Sequence, residues 1–208
     1  MRTLMRLSFL SLAVLVSVCT LEACSTLPSS TPTMSLRQPY HERIAIGGRF
    51  SVSYQHEGRP HSAQGRFQWR QRGEEVDIEL LSPLGQTLAK IRVRAFIATL
   101  ERSGQAPQSA SNVSELTEDL LGWALPAEGL RHWLQGYSPA LNRTGTPSDA
   151  GSSPAATDAV QVGEWLLRYV SWQAADGGSH PKRIDLSRRS AMAGELSLRL
   201  VIDGWEPG

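Results

Sequence analysis

A chain of 208 residues with 40% hydrophobic side chains is long enough for one domain with a core of its own. Its formal net charge of +1 supplies no field to hold a polyanion, so nucleic acid is not an expected partner. Cys19 and Cys24 are the only cysteines, which excludes a disulfide-stapled scaffold.

Arg2 and Arg6 precede an apolar run from Leu7 to Val18, of signal-peptide length and too short to span a bilayer. Leu21-Glu22-Ala23-Cys24 closes the run and is similar to the lipobox of bacterial lipoprotein precursors. In such precursors the Cys thiol takes a diacylglycerol, the chain is cut before the Cys, and the new amine is acylated. Cys24 is thus the expected lipidation site and residues 1–23 the leader. Glu22 departs from the small or hydroxyl residues usual at its place. Cys19 is the rival, but bulky Val18 stands before it where Ala or Gly is wanted. Ser25 follows Cys24, rather than the Asp that resembles an inner-membrane retention signal, so the same pattern implies the periplasmic face of the outer membrane.

Residues 24–42 form the expected lipidated tether, and Ser25 to Gln38 is rich in Ser, Thr and Pro, as an extended linker is. The folded domain is expected over residues 43–206. Period two then sets in. Phe50, Val52 and Tyr54 alternate with Ser51 and Ser53, and Phe67 and Trp69 with Arg66, Gln68 and Arg70. Val76, Ile78 and Leu80 alternate with Asp77 and Glu79, and Ile91, Val93 and Ala95 with Arg92 and Arg94. One face of each run is apolar and the other wet, the pattern of half-buried antiparallel strands. Glu57-Gly58-Arg59-Pro60, Gln71-Arg72-Gly73 and Ser82-Pro83-Leu84-Gly85 are the turns between them.

The middle of the chain changes period. Val113, Leu116, Leu120 and Leu121 share a helical stripe between a capping Asn112 and a terminating Gly122. A second short helix opens at Pro126, buries Leu130, Trp133 and Leu134, and ends at Gly136. Residues 138–157 are Gly, Ser, Pro and Ala with almost nothing apolar, and are expected to be a mobile loop. Period two returns where Leu166, Arg168, Val170 and Trp172 alternate with Trp165, Leu167 and Tyr169, and again through Leu196, Leu198, Leu200 and Ile202. A one-sided sheet must cover its apolar face, and two short helices are too little for a second layer. The expected fold is mainly β: a sheet curled around its own apolar face, lidded by the helices, over an apolar cavity.

Catalytic signatures are absent from the sequence, which has no G-x-S-x-G, Walker A, H-E-x-x-H or C-x-x-C pattern. His56 and His61 flank a turn and read as exposed loop residues. Asp77 and Glu79 read as a solvated strand face. Neither an enzyme, a cofactor nor a metal is expected.

Six stretches carry a resemblance across residues 43–205: Gly48-Arg49-Phe50-Ser51-Val52, Phe67-Gln68-Trp69-Arg70, Ser82-Pro83-Leu84-Gly85, Leu121 to Pro126, Leu130 to Gly136 and Leu198 to Trp205. In that order, behind a lipobox, they resemble the LolB family of outer-membrane lipoprotein receptors. The resemblance implies an unclosed antiparallel β-barrel with a helical lid over an apolar cavity. It also implies a monomer that takes lipoproteins from the soluble periplasmic carrier LolA and inserts them into outer-membrane lipid. Three acyl chains expose about 40 methylenes, on the order of 30 kcal/mol against passage through water, so a protein must cover them throughout. Pro83, Leu84 and Gly85 match the loop whose Leu protrudes and serves membrane insertion; from the residues alone, Leu84 reads as tucked under its own turn. Phe50, Phe67, Trp69, Ile78, Leu80 and Val93 are the strand candidates for the acyl-chain cavity. Leu116, Leu120, Trp123, Trp133 and Leu134 are the candidates from the lid. Any of these could instead be plain core. A lipid-anchored carrier of another apolar ligand and a structural outer-membrane lipoprotein are the alternative readings.

Overall fold

The computed structural model describes residues 39–56, 58–137, 159–190 and 194–208. The leader, Cys24, the tether up to Gln38 and the whole of the 138–157 stretch lie outside them. Ten strands form one sheet: β1 (Arg43–His56), β2 (Arg59–Arg72), β3 (Glu75–Leu81), β4 (Thr87–Arg94), β5 (Ile97–Glu101), β6 (Gln108–Ala110), β7 (Ala159–Val162), β8 (Trp165–Ala175), β9 (Gly178–Ser190) and β10 (Gly194–Pro207). Among the described residues two helices, α1 (Val113–Leu121) and α2 (Ala127–Trp133), stand between β6 and β7 in the chain.

Spatial order is β6-β5-β4-β3-β2-β1-β10-β9-β8-β7, with every adjacent pair antiparallel. Chain neighbours pair by hairpins, and β1 joins β10 at the centre. The edge strands β6 and β7 do not pair with each other, so the barrel is unclosed. Alternate residues point inward as the period requires. Val52, Trp69, Ile91, Leu100, Leu167, Ile184, Leu198 and Ile202 are all essentially buried, in one cluster with Leu116, Leu130 and Leu134 of the lid region.

Two glycines set the bend. The β1–β10 register shifts between Gly47 and Gly48, and a β-carbon on Gly48 would stand 2.2 Å from the Val201 carbonyl oxygen. On β2, a β-carbon on Gly65 would stand 2.1 Å from the Leu81 carbonyl oxygen, beside a second register shift at Leu80/Leu81. Strands approach this closely only where one residue lacks a side chain, and bulges concentrate curvature there.

Period two does not reach every element. β5, β6, β7 and β9 form without having been foreseen; β9 carries Pro181, Lys182 and Arg183 and buries only Ile184 and Leu186 of its larger apolar side chains. Ala95, expected on β4, is an exposed turn residue, because β4 ends at Arg94. On β8 the buried residues are Leu167 and Tyr169, and register shifts between Tyr169 and Trp172 break the alternation. His61 lies within β2 rather than in a loop, and its ring stacks on Tyr54 at 5.5 Å.

Candidate functional site

The roof is pinned at identifiable points. The Asn112 carboxamide caps α1, accepting from the Ser114 and Glu115 N–H groups at 2.9 and 3.4 Å. Gly122, at φ 80°, ends the helix in the left-handed region. Buried Thr117 accepts the Leu125 N–H at 2.8 Å, and Ser114 Oγ donates to the Leu125 carbonyl at 3.1 Å. Those two bonds hold the linker between the helices flat against α1 and aim Trp123 and Leu125 inward. Beyond α2, buried Gln135 brackets the backbone of His41: its Oε1 accepts from the His41 N–H at 2.8 Å, and its Nε2 donates to the His41 carbonyl at 3.1 Å. Tyr40 stacks on His132 of α2 at 5.4 Å and accepts a hydrogen bond from Gln71 Nε2 at 2.8 Å. The segment entering β1 is therefore a strap across the far end of the lid.

Under the roof lies a cavity lined entirely by apolar side chains, with about 20 Å³ of room for the centre of a water-sized sphere. That is space for roughly one water, and the lining turns no polar surface toward it. Its strand walls are Phe50, Phe67, Trp69, Ile78 and Leu80, with Leu198 and Leu200 from β10. Trp123, Leu125, Leu130 and Leu134 close it from the lid side. The Trp69 indole N–H is buried without an acceptor among the described residues.

Seven of the eleven sequence candidates thus meet at one void: Phe50, Phe67, Trp69, Ile78, Leu80, Trp123 and Leu134. Four lie elsewhere. Leu116 is buried core, while Val93 and Leu120 are half-buried at its margin. Trp133 folds back over Gly129, whose missing β-carbon would stand 2.3 Å from the indole, and lines an outer groove with Val162 and Trp165. Leu125, Leu130, Leu198 and Leu200 were missed as lining residues. Leu130, Leu198 and Leu200 carried a periodic signal without one for the void, whereas Leu125 sits in a linker with no period at all.

At the β3–β4 turn the Gly85 N–H donates to the Ser82 carbonyl at 2.9 Å, and Gly85 takes φ 86°. Pro83 supplies the fixed φ of the turn, and Leu84 is left at its tip, 90% exposed. Phe96, in the turn at the opposite end of β4, is equally exposed and gave no sequence signal.

The outer face of the sheet is polar. Asp77 pairs with Arg94 at 2.8 Å and Glu79 with Lys90 at 3.7 Å. Arg49 pairs with Asp203 at 2.7 Å, which holds that carboxyl below the usual carboxylate range. Such exposed pairs contribute little stability. Burial pushes the imidazoles of His132 and His180 below their ordinary pKa.

Residues 42–205 match the family described as Outer membrane lipoprotein LolB. The chain is 42% identical over 160 residues to the outer-membrane lipoprotein LolB of Cupriavidus necator, covering 77% of this chain and 79% of that one. To its counterpart in Cupriavidus metallidurans it is 38% identical over 161 residues, covering 75% and 77%. The Nitrosococcus oceani relative of the same name is 30% identical over 206 residues, covering 94% and 96%. A solved LolA superfamily protein from Nitrosomonas europaea aligns over 83% of this chain and 89% of that one at 9% identity and TM-score 0.43, a likeness too slight to carry an argument.

Proposed function

The chain belongs to the outer-membrane lipoprotein LolB family, and we propose that, as an outer-membrane lipoprotein receptor, it takes lipoproteins from a soluble LolA-like carrier, covers their acyl chains and inserts them into the outer membrane. The observation that carries this reading is the apolar-lined cavity beneath a roof of two short helices. A void of about 20 Å³ holds no acyl chain. Cargo therefore enters by lifting the lid, and its methylenes replace Trp123, Leu130 and Leu134 against the strand wall. Hand-over without nucleotide hydrolysis then requires that this chain hold the acyl chains better than the donor does. The seven-residue α2 has no side-chain cap at its N-terminus, so its own hydrogen bonds resist opening weakly.

The remaining assignments belong to the same reading. Residues 1–23 are a leader, Cys24 carries the lipid, residues 24–42 are the tether and residues 43–206 the monomeric receptor domain. The chain is a carrier of cargo rather than an enzyme. Leu84 enters the lipid interface during delivery. Burying one Leu side chain there is worth about 1.5–3 kcal/mol, enough to bias an orientation and too little to anchor a protein.

Mixing the protein with LolA loaded with a lipoprotein, and following which of the two holds the cargo, tests the reading. Transfer to this chain is expected. Cargo remaining on LolA, with a small apolar ligand copurifying in the cavity instead, would make the protein a carrier of another class.

A further inference from the structure

Outside the barrel, an open groove of about 400 Å³ runs over β2, β1 and β10 beside the Leu84 turn. Arg49, Arg66 and Arg199 line it with Ser51 and Gln64, and Pro83 of the turn is one wall. Arg49 and Arg66 are direct cross-strand partners. Like charges set opposite each other destabilise an antiparallel pair. Asp203 offsets Arg49 at 2.7 Å, and Asp185 offsets Arg199 at 3.1 Å. Arg66 makes no ion pair among the described residues. Arg66 thus lines an open groove beside two guanidinium groups that already have carboxylate partners, and its own charge is left for an anion from outside.

The turn whose Pro83 walls the groove carries Leu84 at its tip, 90% exposed. An apolar tip beside an uncompensated cation is complementary to a bilayer surface, where acyl chains lie below a layer of phosphates. An acidic protein surface matches the arginines and leaves the tip in water. We infer that the Arg49–Arg66–Arg199 groove docks on the phosphates of anionic phospholipid headgroups while Leu84 enters the acyl layer, fixing the angle at which the receptor meets its membrane. The inference rests on the insertion role of Leu84 proposed above.

The acylated protein, reconstituted into vesicles of phosphatidylcholine with or without phosphatidylglycerol, tests it. An environment-sensitive dye on Gln86→Cys reports immersion of the turn; Gln86 is exposed, and acylation of Cys24 leaves the new thiol unique. Phosphatidylglycerol should deepen immersion. Arg66→Gln should lower the docked-to-undocked ratio about five-fold in those vesicles, and leave pure phosphatidylcholine vesicles unchanged. Arg66→Lys should restore docking, and chloride and inorganic phosphate at equal ionic strength should weaken it equally. A signal indifferent to phosphatidylglycerol or to Arg66 overturns the inference. So does displacement specific to inorganic phosphate, which assigns the groove to a small anion, and so does a loss confined to LolA docking, which assigns it to a protein. Cargo uptake from LolA, followed on the same vesicles, separates the two levels. Normal uptake together with turn immersion that does not depend on phosphatidylglycerol removes this inference and leaves the receptor function; failed uptake removes the function itself.

Discussion

The ring of Phe67 lies against Gly48, its cross-strand partner, so closely that a β-carbon on Gly48 would stand 2.7 Å from the ring edge. Phe50 lies in the same way on its partner Gly65. These reciprocal pairs lay two aromatic rings flat on the inner wall and form the floor of the cavity. Gly48→Ala would also drive its methyl into the Val201 carbonyl oxygen, which the strand ladder holds in place. The expected loss is about 1–3 kcal/mol, the range for overpacking a filled core. Urea unfolding checks it: the midpoint should fall at unchanged slope, and an unmoved midpoint would show that the close approach is not a constraint.

Leu84→Glu should separate receiving cargo from delivering it. The side chain lies outside the core, so folding should survive, and uptake from LolA should match the parent protein. Delivery into outer-membrane vesicles should fall, because a carboxylate at the tip is repelled from lipid. Phe96→Glu is the control, an equally exposed apolar residue at the other end of β4, and should leave delivery intact. Equal losses in both variants would assign insertion to general surface hydrophobicity rather than to the Leu84 turn.

Gln135→Leu removes both hydrogen bonds between Gln135 and His41 and leaves the His41 N–H and carbonyl without that partner, at about 1–3 kcal/mol. Amide exchange in residues 127–134 should accelerate more than in the central strands, and cargo uptake should quicken. Uniform acceleration across the sheet would mean that Gln135 supports the whole domain and not the lid.

His180 is buried and stacked on Trp205, with ring centroids 4.4 Å apart and planes 3° from parallel. Burial holds its pKa below the ordinary 6.5, so the folded protein refuses a proton that the unfolded chain accepts. Its contribution to stability is complete above that value and is lost as pH falls from there through the lowered folded pKa. Denaturation midpoints compared at about pH 7.5 and about pH 5 should drop less in His180→Phe than in the parent. His132 shifts the same way, by burial and then by the charge of Arg131, and limits how much of the drop one substitution removes.

Much of the frame was legible because burial on one side writes a period into the chain. β1 to β4 and β10 announced themselves through residues such as Phe50, Trp69, Ile78 and Leu198, and α1 through Asn112 and Gly122. β9 did not, because its pairing is dictated by β8 and β10 on either side while Pro181, Lys182 and Arg183 mask its alternation. Distance from the centre of the sheet escaped the pattern altogether. Ile78 and Val93 both fall on inward positions of adjacent strands, yet only Ile78 reaches the void. Trp133 had the right helical phase, and still turned aside, because Gly129 offered a flat surface one turn back. The Pro-Leu-Gly turn signalled Leu84, but exposure at Phe96 followed from where β4 stops.

Leaving the barrel unclosed has a consequence for both growth and company. A closed barrel widens only by breaking a ladder of backbone hydrogen bonds. Here the seam between β6 and β7 carries no ladder, so the wall can part around an arriving chain with every strand pairing intact. Open edges invite other chains to add strands, a hazard on a membrane crowded with identical receptors. The two edge strands are the shortest in the sheet, three residues in β6 and four in β7, too brief to template a neighbour.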